Sequence, residues 1–201
     1  MGVCIEVLIV DWERLGTVPA DQRSALLWDI FDDEDDTWSP PPPAGWVRPR
    51  EEDADWCRRY DFHGTLGSYK PHFWAGERWE AVRDHAAPGL RTALDHYLSA
   101  LFWGGLPFMD GGDGEEESEQ ECPWDIRTLM WSAPDDVPGI KWLWDRAAPE
   151  LDTLREPFAE HAASPGSWIA DFDEFALLLK DWGEVMTEAD RRGWGVLGLH
   201  C

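Results

Sequence analysis

Residues 3–10 read Val-Cys-Ile-Glu-Val-Leu-Ile-Val, and this stretch decides the fold of the chain. Apolar, mostly β-branched side chains occupy both alternating sets of positions, so both faces of an extended segment need cover. Glu6 interrupts the run and no basic segment precedes it, which favours a strand over a signal peptide. The stretch therefore predicts a strand that is buried on both sides of a sheet.

The other end of the chain predicts a long helix followed by a strand. Residues 172–192 form an amphipathic pattern, with Asp171 or Asp173 as the N-cap and Gly193 placed to end the helix. Its apolar side chains recur every three or four residues: Phe175, Leu178, Leu179, Trp182 and Met186. Residues 194–200 predict the last strand. We expect the first and last strands to be adjacent, with the helix packed across the sheet.

The middle of the chain adds helices and one further strand. Amphipathic patterns predict helices at 77–86, 88–103, 140–147 and 149–162, a short helix at 51–60 and a strand at 126–132. The fold class is therefore α+β, a small mixed or antiparallel sheet that includes the N- and C-terminal strands and is packed by several amphipathic helices. We expect one domain over residues 1–201, with acidic or Pro-rich loops at about 32–50 and 104–123. Residues 104–121 are expected to be mobile.

The charge of the chain is strongly negative and unevenly distributed. The formal net charge is −24, from 41 acidic and 17 basic residues. Sixteen of the acids lie in residues 32–36, 51–55 and 110–121, and none of these segments contains Lys or Arg. They are either solvated loops that keep the protein soluble or a surface for a basic partner. Direct nucleic-acid binding is not expected, because the chain has no basic stripe.

The cysteine pattern and the hydropathy indicate the compartment in which the protein is expected. Cys4, Cys57, Cys122 and Cys201 show no metal-binding or CxxC spacing, and without an export signal they are expected to be reduced thiols of a cytoplasmic protein. No stretch approaches the roughly 20 apolar residues of a membrane span. No cofactor and no metal site are predicted, and the oligomeric state is left open.

The segment from Asp61 to Trp74 holds the densest group of reactive side chains. Its candidate ligand-binding residues are His63, Ser68, Tyr69, Lys70, His72 and Trp74. Histidine can move protons near neutral pH, and functional loops often combine such residues with glycine. The alternative is a packed aromatic loop. The chain lacks a phosphate-binding Walker loop, a nucleophile elbow and a His-Glu-x-x-His motif, so no catalytic residue is assigned.

Fifteen tryptophans are an unusual number for 201 residues. Those within apolar helical patterns are expected in the core: Trp28, Trp79, Trp103, Trp142 and Trp182. Trp38, Trp46 and Trp74 lie in loops, where they either cover the sheet or form the wall of a ligand cleft.

Both chain ends resemble the YfbM-like family of bacterial proteins of unknown function. The resemblance rests on Met1-Gly2, a strand and the pattern Asp11-x-Glu13-x-Leu15, and on a closing helix that runs through Trp182 and Met186 to Gly193 before a final strand. It implies an α+β bacterial cytoplasmic domain and supplies no catalytic residues.

Two hypotheses of function follow from the sequence. The favoured one is a non-catalytic acidic interaction or regulatory protein, of the accessory or immunity type, that acts on a basic protein partner. The alternative is a small-molecule-binding protein or enzyme that uses the loop from His63 to Trp74 and a Trp-lined cleft.

Overall fold

The computed structural model describes residues 3–30, 44–49, 55–102, 122–124, 126 and 128–200. Five strands are present in this part of the chain: β1 (Ile5–Val10), β2 (Gly45–Val47), β3 (Cys57–Asp61), β4 (Thr128–Ser132) and β5 (Gly195–His200). Its helices are α1 (Trp12–Gly16), α2 (Ala20–Asp29), α3 (Lys70–Val82), α4 (Pro88–Phe102), α5 (Val137–Ala147), α6 (Arg155–His161) and α7 (Phe172–Arg192). Short 3-10 turns follow α3 and α5.

The five strands form one antiparallel sheet in the order β2-β3-β1-β5-β4. β1 pairs with β5 along its whole length, from Ile5 opposite His200 to Val10 opposite Gly195. The α+β fold with a sheet built around the first and last strands is therefore confirmed.

Both faces of the sheet are covered, as the apolar pattern of β1 requires. Val7 and Ile9 face a large core formed with α3 to α7. Leu8 and Val10 face a smaller core, which includes Leu15 of α1 and side chains of α2. Three layers result, and β1 and β5 form the centre of the middle layer.

α7 begins and ends as its sequence indicates. The Asp171 carboxylate accepts a hydrogen bond from the backbone N–H of Glu174 at 3.0 Å, so Asp171 rather than Asp173 is the N-cap. Gly193 ends the helix in the left-handed conformation with φ 68°. Among the described residues, no helix is long and apolar enough to cross a membrane.

Two tryptophans lie directly against glycine backbone. A Cβ atom on Gly195 of β5 would overlap Nε1 of Trp12, and one on Gly183 of α7 would overlap Nε1 of Trp144. Any side chain larger than hydrogen would overlap the indole at these positions. Part of the unusual tryptophan content therefore fixes the contact of α1 with the sheet and the contact of α5 with α7.

Several sequence-based expectations about local structure are wrong. The short helix expected at 51–60 is not formed, because residues 57–60 pair with β1 as part of β3; residues 51–54 lie outside the described part. α3 begins at Lys70, inside the expected loop, with Pro71 in its first turn. Trp142, expected in the core, is 54% exposed. The expectations for Trp38, Trp103 and residues 104–121 also lie outside the described residues.

The cysteines do not all match the expectation of reduced thiols. Cys4 is disulfide-bonded, whereas Cys57 and Cys122 are free. The expectation is therefore wrong for Cys4. Disulfide pairing depends on the distance between two cysteines in the folded chain, and their spacing in sequence does not reveal it.

Candidate functional site

The loop from Phe62 to Tyr69 is held against the start of β1. The backbone N–H of Ile5 donates to the Gly67 carbonyl at 2.8 Å, and that of Tyr69 donates to the Val3 carbonyl at 2.9 Å. Gly64 and Gly67 take positive φ values of 69° and 72°, which glycine adopts without a steric penalty. The loop is thus a defined structure that fixes its side chains.

A buried carboxylate of α7 binds the first residues of this loop. Asp181 is only 3% exposed. Its Oδ2 accepts a hydrogen bond from the backbone N–H of His63 at 2.8 Å, and its Oδ1 lies 2.9 Å from Nδ1 of the same residue. The His63 side chain is 47% exposed. One face of this imidazole is therefore fixed by the protein while the other remains accessible.

Tyr60 of β3 completes this cluster from the sheet. Its hydroxyl donates to Oδ1 of Asp181 at 3.1 Å. Burial raises the pKa of Tyr60 above its usual range, and the neighbouring Asp181 carboxylate raises it further. The phenol therefore remains a hydrogen-bond donor at any physiological pH. Trp46 of β2 packs edge-on against the Tyr60 ring with centroids 5.0 Å apart.

The hydrogen bonds define what His63 can do chemically. An ionised carboxylate only accepts hydrogen bonds, so Nδ1 of His63 carries the proton in the pair. In the neutral ring, Nε2 then holds a free electron pair on the accessible side. Such an imidazole can accept a proton or a hydrogen bond from a bound molecule. Within the described residues, no Ser, Thr or Cys side chain is hydrogen-bonded to His63.

His72 lies in the core rather than beside His63. Its ring is fully buried, and neither ring nitrogen has a hydrogen-bond partner in the described part of the chain. Phe62, Tyr69, Phe102 and Trp182 surround it with ring centroids 5.2–5.8 Å away. Burial lowers the pKa of His72 to about 4, although the backbone at Ser68 and Tyr69 opposes the change. His72 is therefore a neutral packing residue at pH 7.

The remaining predicted site residues are spread over the start of α3. The Ser68 hydroxyl oxygen accepts a hydrogen bond from the backbone N–H of Lys70 at 3.2 Å, and the Lys70 side chain is exposed. The Tyr69 hydroxyl donates to the carbonyl of Phe102, and burial raises the pKa of Tyr69. Trp74 is half-buried beneath the guanidinium of Arg78, which lies 5.1 Å from the ring. His63 and Lys70 are therefore exposed, whereas His72 is buried in the core.

Sequence reasoning missed Asp181 and Tyr60. Asp181 falls between Leu178 and Trp182, on the apolar side of a helix whose other charged residues mostly lie outside that stripe. A lone aspartate at such a position was the available signal, because buried carboxylates require hydrogen-bond donors. Its partner could not be read from the sequence, since 118 residues separate it from His63.

Comparison with known proteins adds no relative to this picture. Neither the protein-family models, nor the curated proteins, nor the solved structures include a match to the chain. The resemblance to the YfbM-like family therefore stays a prediction. In the described part of the chain, no group of three or more His, Cys, Asp or Glu side chains is arranged to hold a metal ion.

Proposed function

We propose that this protein is an acidic interaction module that binds a basic protein partner. The supporting observation is that acids far outnumber bases in the chain and that several of its cations are already paired with its own carboxylates. Seven basic side chains of the described residues form ion pairs with carboxylates of the same chain: Arg59, Arg83, Arg91, Lys141, Arg155, Arg191 and Arg192. Because the chain has 41 acids in total, many carboxylates remain without a basic partner in the chain. They give the protein a negative electrostatic field that attracts cations.

The end of α3 carries several carboxylates. Glu80 is close to Glu77, Asp84 and Asp95; Asp95 is paired with Arg83 and Asp84 with Arg91, whereas the exposed Glu77 and Glu80 form no ion pair within the described residues. Burial raises the pKa of Glu80, Arg83 opposes this change, and the carboxylates of Asp95, Glu77 and Asp84 raise the pKa further. Like charges at this spacing repel each other. A lysine or arginine of a partner would relieve the repulsion, which gives binding a favourable electrostatic contribution.

A cationic probe and a matched pair of variants test this proposal. Binding of a deca-lysine peptide is measured at low salt by isothermal titration calorimetry for the wild type, for Glu77→Gln/Glu80→Gln and for Glu13→Gln/Asp21→Asn. Both double variants remove two negative charges. We expect about 5–10-fold weaker binding for the first pair and less than about twofold for the second.

The same titration has a second readout. Because a bound cation lowers the pKa of Glu80, binding at about pH 5 should release protons, and the measured enthalpy should depend on the ionisation enthalpy of the buffer. Equal losses for the two double variants would show that only net charge matters. That result would contradict a defined interaction face.

His63 supports a second candidate function, a small-molecule site or an enzyme. The observation that favours it is that Asp181 binds Nδ1 of His63 while the side chain is half exposed. Release of p-nitrophenolate from p-nitrophenyl acetate is compared between the wild type, His63→Gln and the exposed control His96→Gln. We expect only His63→Gln to lose rate. The same rate in all three proteins would remove this candidate.

The location of the protein in the cell is also a proposal. A bacterial, cytoplasmic protein that binds neither membranes nor nucleic acids was predicted from the sequence. The disulfide at Cys4 is an argument against a reducing compartment, since structural disulfides persist mainly in oxidising ones. Thiol counting on protein isolated from its native cell without reductant tests the location, because a cytoplasmic protein should show four free thiols.

A further inference from the structure

Two arginines lie close together at the edge of the sheet. Val47, the last residue of β2, pairs with Arg59 of β3, so Arg48 follows the strand next to Arg58, and the two positive charges repel each other. Side chains alternate along a strand, so Arg58 shares the face of Tyr60, which is the face that α7 covers. Like charges opposite each other on neighbouring strands are destabilising, so this pair calls for a compensating interaction.

The last turn of α7 brings two more arginines to the same place. Glu188 accepts hydrogen bonds from Nε of Arg191 at 2.7 Å and from Nε of Arg192 at 2.6 Å. The Arg192 guanidinium also lies over the Trp194 ring, 4.6 Å from its centroid. Arg192 is therefore held in a fixed position. Gly195, three residues later, pairs with Val10, and Val10 pairs with Cys57, so the end of α7 lies at the end of the sheet that carries Arg58.

These four arginines are incompletely neutralised. Arg58 is half-buried and forms no ion pair with a carboxylate of the described residues. Burial lowers the pKa of Arg58, and repulsion from Arg192, Arg48 and Arg191 lowers it further, with Glu188 as the opposing carboxylate. Four positive charges around one negative charge are exceptional in a chain of net charge −24.

We propose that Arg48, Arg58 and Arg192 form a binding site for the phosphate group of a small phosphorylated molecule. Guanidinium groups present paired N–H donors that match the oxygens of a phosphate, and three of them around one anion neutralise its charge. The overall negative field of the protein repels polyanions such as nucleic acids and anionic membranes. A small anion is repelled far less and can reach a local positive patch. The site is independent of the acidic face on α3.

Titration with inorganic pyrophosphate tests the site. The Nε–Hε signals of the arginine side chains are followed by NMR spectroscopy, with the signal of Arg58 assigned from an Arg58→Lys variant. We expect saturable shifts of this signal, about tenfold weaker affinity for Arg58→Gln, and an intermediate loss for Arg58→Lys, which keeps the charge but not the paired donors.

The matched control is Arg146→Gln. Arg146 is exposed on α5 and lies 4.8 Å from the Trp142 ring, so it resembles Arg192 in its aromatic contact but is far from the patch in sequence and on a different helix. We expect its removal to change the affinity less than about twofold. Thermal unfolding of each variant verifies that the fold is retained.

Four results would overturn the proposal. The first is the absence of saturable shifts in the wild type, and the second is an equal loss for Arg58→Gln and Arg146→Gln. The third is binding to vesicles of anionic phospholipid that pyrophosphate does not displace. The fourth is pyrophosphate binding only after Glu51→Gln/Glu52→Gln/Asp53→Asn, since the chain's own acidic residues would then be the ligand of the patch.

Discussion

Acid should destabilise this protein through His72, whose ring nitrogens have no hydrogen-bond partner in the described part of the chain. The imidazole is fully buried and neutral, with a pKa lowered to about 4 by burial. An unfolded chain would protonate it near its ordinary value of 6.5. Below pH 6.5 the unfolded state therefore binds a proton that the folded state refuses, and the free energy of unfolding falls as the pH falls towards 4. The full effect is about 3 kcal/mol, a large part of the stability of a domain.

The test compares the wild type with His72→Phe, which keeps an aromatic ring among its aromatic neighbours but cannot bind a proton. Urea unfolding at pH values from 7 to 4 gives the free energy of unfolding of each protein. Carboxylates titrate in both proteins, so their effect cancels in the difference. When the pH is lowered from 7 to 4, we expect the free energy of unfolding of the variant to rise by about 3 kcal/mol relative to that of the wild type. The exposed control His96→Gln should show no such gain. Parallel pH curves for wild type and His72→Phe would refute the reasoning.

Two further predictions concern buried contacts. Asp181→Asn should destabilise the fold by about 1–3 kcal/mol, because an amide cannot satisfy all the donors that point at the carboxylate, and the ¹⁵N shifts of His63 should show loss of the Nδ1-protonated ring. Gly195→Ala and Gly183→Ala should each cost about 1–3 kcal/mol, because the new methyl group overlaps an indole ring. Gly139→Ala is the control, since its Cβ would meet nothing within 4 Å. Thermal unfolding measures all three glycine variants, and equal melting temperatures would contradict the overlap.

An element could be predicted from the sequence where its apolar pattern can be buried in only one way. An apolar run on both faces of β1 can be buried only in a central strand, and the stripe of α7 can be buried only against a sheet or other helices. The two ends of the chain and their pairing were therefore predictable. β3 was not, because residues 57–61 carry two arginines and no clear alternation. Its strand conformation comes from pairing with β1, which overrides local propensity.

The candidate site divides in the same way. His63 could be selected because histidine beside glycines in a polar loop is typical of functional loops. His72, nine residues later, has the same chemistry in the sequence, yet its ring fills the core. The difference is made by α7, since Asp181 binds the first histidine and Trp182 packs against the second. Long-range contacts of this kind leave no trace in the local sequence.

The indole rings that lie on Gly183 and Gly195 also limit how this protein can move. Helices that pack through smooth apolar ridges can slide past each other by small steps, and many domains adapt to ligands in this way. Here a displacement of α5 along α7 would drive Trp144 into the side chains next to Gly183, and a shift of α1 along β5 would do the same with Trp12. Each indole ring fits only at the position where its neighbour is a glycine. When the protein adapts to a partner, α1 should therefore move together with β5, and α5 together with α7.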